Sequence, residues 1–217
     1  MSLEFIAANI FKRYNGEPVL NDCSYSFMEN GTYVLTGPNG SGKSTFLRIC
    51  SLLEEPDKGE VNFYSEGVLV KKDIELKRRI TLLLPKIGVF NTTVFKNVSY
   101  GLTIRGIKSS ESEEKINKVL DFVQLSRKKN QNALTLSSGE TKRLGIARAL
   151  VIEPEILFLD EPSASVDQKN TGIIEDIILK MKNYHKTTVV MTTHDMQQAK
   201  RLADSLMVMN NGLISAA

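Results

Sequence analysis

Residues 37–45 read Gly37-Pro38-Asn39-Gly40-Ser41-Gly42-Lys43-Ser44-Thr45 and fit the pattern G-x-x-x-x-G-K-[ST]. The chemistry this spacing serves is the cradling of a polyphosphate. Glycines let the backbone turn so that successive amide N–H groups converge on phosphate oxygens, and a helix starting there adds partial positive charge. Lys43 then reaches the β- and γ-phosphates, Ser44 offers a hydroxyl to Mg²⁺, and Thr45 offers a second hydroxyl to an α-phosphate. A second set of chemically capable residues ends an apolar run: Ile156-Leu157-Phe158-Leu159 is followed by Asp160 and Glu161. Acids at the C-terminal end of a buried strand stand where open α/β sheets bind ligands. Asp160 is placed to hold Mg²⁺ through water opposite Ser44, and Glu161 to orient an attacking water or accept its proton. Between these sets, Leu136-Ser137-Ser138-Gly139-Glu140 precedes a helix running through Leu144 and Ala147 to Leu150. Small residues at a helix start expose N–H groups to an anion that must come from elsewhere.

The elements that position these residues follow from the pattern. Thr32–Leu35 reads as the strand before the glycine-rich loop, and Phe46, Leu47, Ile49 and Leu52 recur at near-helical spacing after it. Further strand-like runs fall at 60–64, 80–84, 156–159, 187–192 and 206–209, mostly separated by helical patterns. Such alternation implies an α/β fold with a largely parallel sheet. Asn210-Asn211-Gly212 between two apolar runs is a hairpin signal, so the sequence ends on an antiparallel ribbon. Ser110 and Glu113 suggest a capping box, and Ile116, Val119, Leu120 and Val123 then mark an amphipathic helix.

Composition narrows the classes. The 217 residues are 41% hydrophobic and 24% charged, which suits one large globular domain. Net charge is only +3, and the basic clusters at 77–79 and 127–129 are short, so no nucleic-acid partner is expected. Cys23 and Cys50, with His185 and His194 as the only histidines, make no metal cluster and fit a reducing compartment. No apolar run approaches the roughly 18 residues that span a bilayer, and no signal peptide is evident. Any membrane role is therefore expected to run through a partner.

In order and spacing, the glycine-rich loop, Leu136-Ser137-Ser138-Gly139-Glu140, the run from Ile156 through Asp160-Glu161-Pro162-Ser163-Ala164-Ser165-Val166-Asp167, and Thr192-Thr193-His194-Asp195 resemble the ATP-binding-cassette (ABC) ATPases. The likeness covers nearly the whole chain. It implies a P-loop NTPase core with a mainly parallel sheet, an antiparallel β edge and an inserted α-helical lobe. Residues 1–217 would form one nucleotide-binding domain, the core being about 1–89 and 135–217 and the lobe about 90–134. It implies ATP and Mg²⁺ as ligands, Tyr14 as the ring stacked on adenine, and His194 holding the attacking water with Glu161. It also implies a head-to-tail pair, identical or not, in which Ser137 and Gly139 contact the γ-phosphate bound by the other subunit and Asp167 lies in the loop crossing that contact. The remaining partners would be transmembrane permease subunits, placing the chain in the cytoplasm on the inner face of the cell membrane.

Two departures stand out. Pro85 occupies the position where the family usually has a glutamine after the strand at 80–84, and proline has no side-chain donor or acceptor. Ser138 replaces a glycine and Glu140 a glutamine of the usual signature. About ninety residues separate Lys43 from Ser137 with no sustained heptad, which argues against the coiled-coil DNA-repair branch. The stretch from Val89 to Leu102 and Ile104-Arg105-Gly106 look like cassette subunits of tungstate or molybdate importers. The expectation is an ATP-hydrolysing subunit energising a transporter. The alternatives are a soluble ABC ATPase of a cytosolic assembly system and an ATP-binding module with weak hydrolysis.

Overall fold

The computed structural model describes residues 3–28, 30–107, 109–184 and 187–216. Its elements run β1 (Leu3–Tyr14), β2 (Glu17–Phe27), β3 (Thr32–Thr36), α1 (Lys43–Cys50), β4 (Lys58–Ser65), β5 (Val68–Leu69), α2 (Ile74–Arg78), β6 (Ile80–Leu83), α3 (Val94–Thr103), α4 (Ser109–Phe122), α5 (Ser138–Leu150), β7 (Ile156–Asp160), α6 (Gln168–Tyr184), β8 (Thr188–Thr193), α7 (Met196–Leu202), β9 (Ser205–Asn210) and β10 (Leu213–Ala216). The chain divides into two compact units. One comprises the chain up to Leu82, Glu155–Glu161 and the chain from Leu179 on; the other comprises Leu83–Pro154 and Pro162–Ile178.

The first unit is built on two sheets. A six-stranded sheet has the order β10-β9-β3-β8-β7-β6. Within it β3 runs parallel to β8 and β9, β7 runs parallel to β8, and β10 returns antiparallel on β9 through the expected Asn211-Gly212 turn. All five residues of β3 and of β7 and all six of β8 are buried, as expected of strands covered on both faces. The other sheet has the order β2-β1-β4-β5, with antiparallel pairing throughout.

Phe5 joins the two sheets: it stacks on Phe27 at 4.2 Å and on Phe63 at 5.3 Å, and meets Phe158 of β7 edge-on at 5.6 Å. α1 supplies Phe46, Leu47, Ile49 and Cys50 to the same core. Neither β1 nor β2 is evident from strict alternation, and the reason is local. In β1, Leu3, Phe5 and Ala7 are buried at period two, but an irregularity after Ala7, with Asn9 at φ 51°, moves the next buried side chain to Ile10. In β2, Asp22 at φ 57° spaces Leu20, Cys23 and Phe27 by three and four residues, which imitates a helix.

The second unit is helical. α4 buries Ile116 and Leu120, and Val123 just past its end is buried with them; Val119, expected on the same face, is half-buried. The capping box expected at Ser110 and Glu113 rests on the Ser110 side chain, which lies outside those described. Arg143 of α5 donates from Nη1 to the carbonyls of Val123 and Gln124, both at 2.8 Å, so that it closes the chain just past the end of α4. In α3, Asn97 is fully buried and ties its own helix start to the preceding loop: its Oδ1 accepts from Phe90 N and its Nδ2 donates to the Phe90 and Thr93 carbonyls.

Candidate functional site

Loop 37–42 joins β3 to α1, and neighbouring backbone fixes its shape. A Cβ on Gly37, which has φ 151°, would lie 2.1 Å from the Met209 carbonyl oxygen. One on Gly42, at φ 108°, would lie 2.8 Å from the Val19 carbonyl. Both positions therefore exclude any side chain. No side chain caps α1 at Gly42, which leaves the first-turn N–H groups directed to the loop's concave side. Ser41 Oγ is buried there without a hydrogen-bond partner. Lys43, only 5% exposed, donates from Nζ to the carbonyls of Gly37 and Pro38, each at 2.9 Å, and so spans the loop mouth. An ammonium, orphan amides and an unsatisfied hydroxyl form a cradle of donors, and a polyphosphate supplies the matching acceptors.

Two neighbouring parallel strands, β7 and β8, deliver the next polar groups at their C-terminal ends. Pairing of β7 with β8 sets Asp160 beside Thr192. Asp160 Oδ1 accepts from Thr192 Oγ1 at 2.7 Å and from Ser44 Oγ at 3.0 Å. Ser44 and the 3%-exposed Asp160 carboxylate thus form an oxygen-only pair of the kind hard cations select. Among the described residues no group of three or more His, Cys, Asp or Glu side chains is arranged to hold a metal ion by itself. A cation held here would take its other ligands from phosphate and water, as is usual for Mg²⁺.

Glu161 follows with φ 47°, a left-handed conformation uncommon for a residue with a side chain. Its N–H donates to Thr192 Oγ1 at 3.0 Å, so one hydroxyl fixes both acids. His194 Nδ1 lies 3.5 Å from Glu161 Oε2, and the imidazole is largely solvent-exposed. Asp195, not His194, caps α7, accepting from Gln197 N and Gln198 N. The histidine is left to face Glu161.

Tyr14 ends β1 and is 39% exposed. Its hydroxyl donates to Glu54 Oε1 and accepts from Arg48 Nη2 at 3.1 Å; the same Arg48 nitrogen donates to Thr45 Oγ1 at 3.1 Å. Burial alone would raise the Glu54 pKa, but bonds from Tyr14, Arg48 and Lys12 hold it below the usual glutamate range.

The structure therefore brings Tyr14, Gly37 to Thr45, Asp160, Glu161 and His194 together in the first unit. Ser137, Gly139 and Asp167 belong to the second. There a Cβ on Gly139 would lie 2.2 Å from Asn170 Cγ. Asn170 in turn donates to both carboxylate oxygens of Asp167, whose pKa these bonds lower, the backbone one foremost. Ser137 and Glu140 form a reciprocal capping box at the start of α5, and Ser138 is an exposed first-turn residue. Pro85 is exposed, and its carbonyl accepts from Lys142 Nζ at 2.7 Å.

Arg48 and Glu54 carry no site signal in the sequence, and Thr192 stands there only as part of the Thr192-Thr193-His194-Asp195 motif. The S-x-x-E spacing at 137–140 is itself the sequence signal of the capping box.

A family model described as "ABC transporter" matches residues 20–164. The chain is 33% identical over 215 residues to the tungstate uptake system ATP-binding protein TupC of Peptoclostridium acidaminophilum, spanning 99% of this chain and 98% of that protein. It is likewise 33% identical to the phosphate import ATP-binding protein PstB 2 of Natronomonas pharaonis, spanning 97% of this chain and 78% of that protein. A solved nucleotide-free ATP-binding cassette from an ABC transporter matches with a TM-score of 0.85 at 26% identity, covering all of this chain and 91% of that one.

Proposed function

Because the chain belongs to the ABC transporter family, as an ATPase subunit of the import-system type, we propose that it hydrolyses ATP at residues 37–45, 160–161 and 194 to drive a membrane permease. The observation that carries this reading is the chain of contacts from Ser44 through Asp160 and Thr192 to Glu161 and on to His194, set beside a loop lined with donors. Backbone N–H groups and Lys43 bind the β- and γ-phosphates. Ser44 and Asp160 would hold Mg²⁺, which offsets phosphate charge when bound. Glu161 orients a water and takes its proton as the oxygen attacks the γ-phosphorus, while the bond to the bridging oxygen breaks and ADP and phosphate depart. His194, whose Nδ1 lies 3.5 Å from Glu161 Oε2, steadies the same water. Tyr14 offers its ring face to the adenine.

Ser137 and Gly139 would complete the site of a second subunit, identical or related, and the helical lobe at about 90–134 would face the permease. Among the described residues no helix is long and apolar enough to cross a membrane, so attachment to the inner face of the cell membrane would run through that permease. For the solute we infer an oxyanion such as tungstate or molybdate. This rests on the likeness of the stretch at 89–106 and on the match to TupC; relatives named for phosphate, spermidine/putrescine and methionine import match at 33–34% identity, so overall identity does not choose among solutes. One observation favours a second reading, an ATP-binding module with weak hydrolysis: Pro85 carries no polar side chain where a metal- or water-contacting glutamine is usual. Phosphate release measured with the permease present distinguishes the two. Stimulation by permease and solute supports transport coupling, and turnover no faster than background with ATP bound supports the second.

A further inference from the structure

Beneath Tyr14 lies a group of charged residues that the hydrolytic mechanism does not use. Glu54, Glu55 and Asp57 form a turn between α1 and β4 that grips the end of β1. Asp57 N donates to Phe11 O at 2.8 Å and Asp57 Oδ2 accepts from Arg13 N at 2.7 Å. Lys12 Nζ reaches back to Glu55 O at 2.7 Å and to the Glu54 carboxylate at 3.2 Å. Glu54 then takes the Tyr14 hydroxyl on one oxygen and Arg48 Nε on the other, the latter at 3.0 Å. Its side chain is only 22% exposed. Charge-assisted bonds of this kind are the stronger and more directional class.

The Tyr14 hydroxyl is thereby engaged as both donor and acceptor, and the orientation of the ring no longer depends on its own torsional freedom. Arg48 carries the brace onward, since Nη2 holds Tyr14 and Thr45 at once. Thr45 belongs to the glycine-rich loop and its helix, so the brace joins the place where a base would stack to the place where phosphate would bind. We propose that Glu54 and Arg48 are positioning residues for the nucleotide base, locking the Tyr14 ring at a fixed distance and tilt from the phosphate loop so that base and triphosphate are recognised as one rigid unit. The proposal rests on ATP being the substrate. A platform ordered before binding spares the loss of side-chain entropy on binding, and it would do so for the base alone.

The test compares equilibrium binding of Mg-ATP with that of Mg-tripolyphosphate, which has the phosphates and no base, to the parent chain, Glu54→Ala, Tyr14→Phe and the double variant. We expect Glu54→Ala and Tyr14→Phe each to weaken Mg-ATP by about tenfold, the scale of one bond to a charged group. The double variant should be no weaker than either single one, because both remove the same connection. Mg-tripolyphosphate should change less than twofold in every case, which also reports that the loop is folded. Parent-like ATP binding by Glu54→Ala, equal loss of both ligands, or additive effects in the double variant would overturn the proposal. Failure of the parent chain to bind ATP at all would instead overturn the assignment of the substrate, and the two failures are thus separable.

Discussion

At the scale of single residues, the site depends on which group each carboxylate meets. Asp160 is buried and spends one oxygen on two hydroxyls, whereas Glu161 turns away through its left-handed backbone and faces His194. Two adjacent acids therefore have different environments and different tasks. Replacing Glu161 with Gln keeps the side chain's shape and removes its basicity. Phosphate release should fall by roughly 10²- to 10⁴-fold, the range general-base removal produces, while ATP affinity stays near that of the parent. A steady-state rate equal to the parent's would show that another group takes the proton. The two cysteines take no part: both are buried, and burial pushes the Cys23 thiol up to about 11, where it remains protonated and donates to the Gly212 carbonyl.

At the scale of elements, the start of α5 makes a sharper claim than its sequence suggested. Ser137 and Glu140 satisfy each other's backbone N–H groups, so Ser137→Ala should cost about 1 kcal/mol of stability in denaturant unfolding. Burial alone would raise the Glu140 pKa, but the Ser137 amide and the Lys128 ammonium hold it below the ordinary glutamate range. A carboxylate with a depressed folded value stabilises fully above its unfolded value, and that contribution is lost as pH falls through the folded one. The Glu140→Gln variant should therefore converge with the parent on acidification; a stability gap that widens at low pH would refute the box. Pro85 is the other element-scale question. Its contact with Lys142 uses only the carbonyl, so Pro85→Gln can keep that contact while adding a polar side chain. Mg²⁺-dependent hydrolysis should rise, by roughly tenfold if the glutamine acts as an outer partner of the metal. An unchanged or lower rate would mean that the loop's function is built around proline.

At the scale of the molecule, the parallel sheet was legible because strands covered on both faces are largely apolar runs: 32–35, 156–159 and 187–192 each announced a strand, and the strands observed, Thr32–Thr36, Ile156–Asp160 and Thr188–Thr193, lead into the candidate site. The antiparallel sheet was harder to read. Bulges at Asn9 and Asp22 broke the alternation of β1 and β2, and Phe5, which unites both sheets, carried no signal of its own. The contiguous motifs supplied the candidate site residues, while Thr192, Arg48 and Glu54 act through contacts with residues 32 to 40 positions away in sequence. Ser137 and Gly139 belong to the other compact unit than the phosphate loop, and the proposed second subunit makes a prediction for assembly. With ATP present, Glu161→Gln should accumulate a species of two chains and two nucleotides by light scattering. A monomer with bound ATP would confine the site to one chain.

The central claim is that the backbone from Gly37 to Ser44, with Lys43 across its mouth, holds a nucleoside triphosphate. Calorimetric titration of Mg-ATP into the parent chain and into Lys43→Ala, both shown to be folded, tests it most directly. The parent should give saturable heat with one nucleotide per chain and the variant none. A flat titration for the parent, or the same isotherm for both, would contradict it.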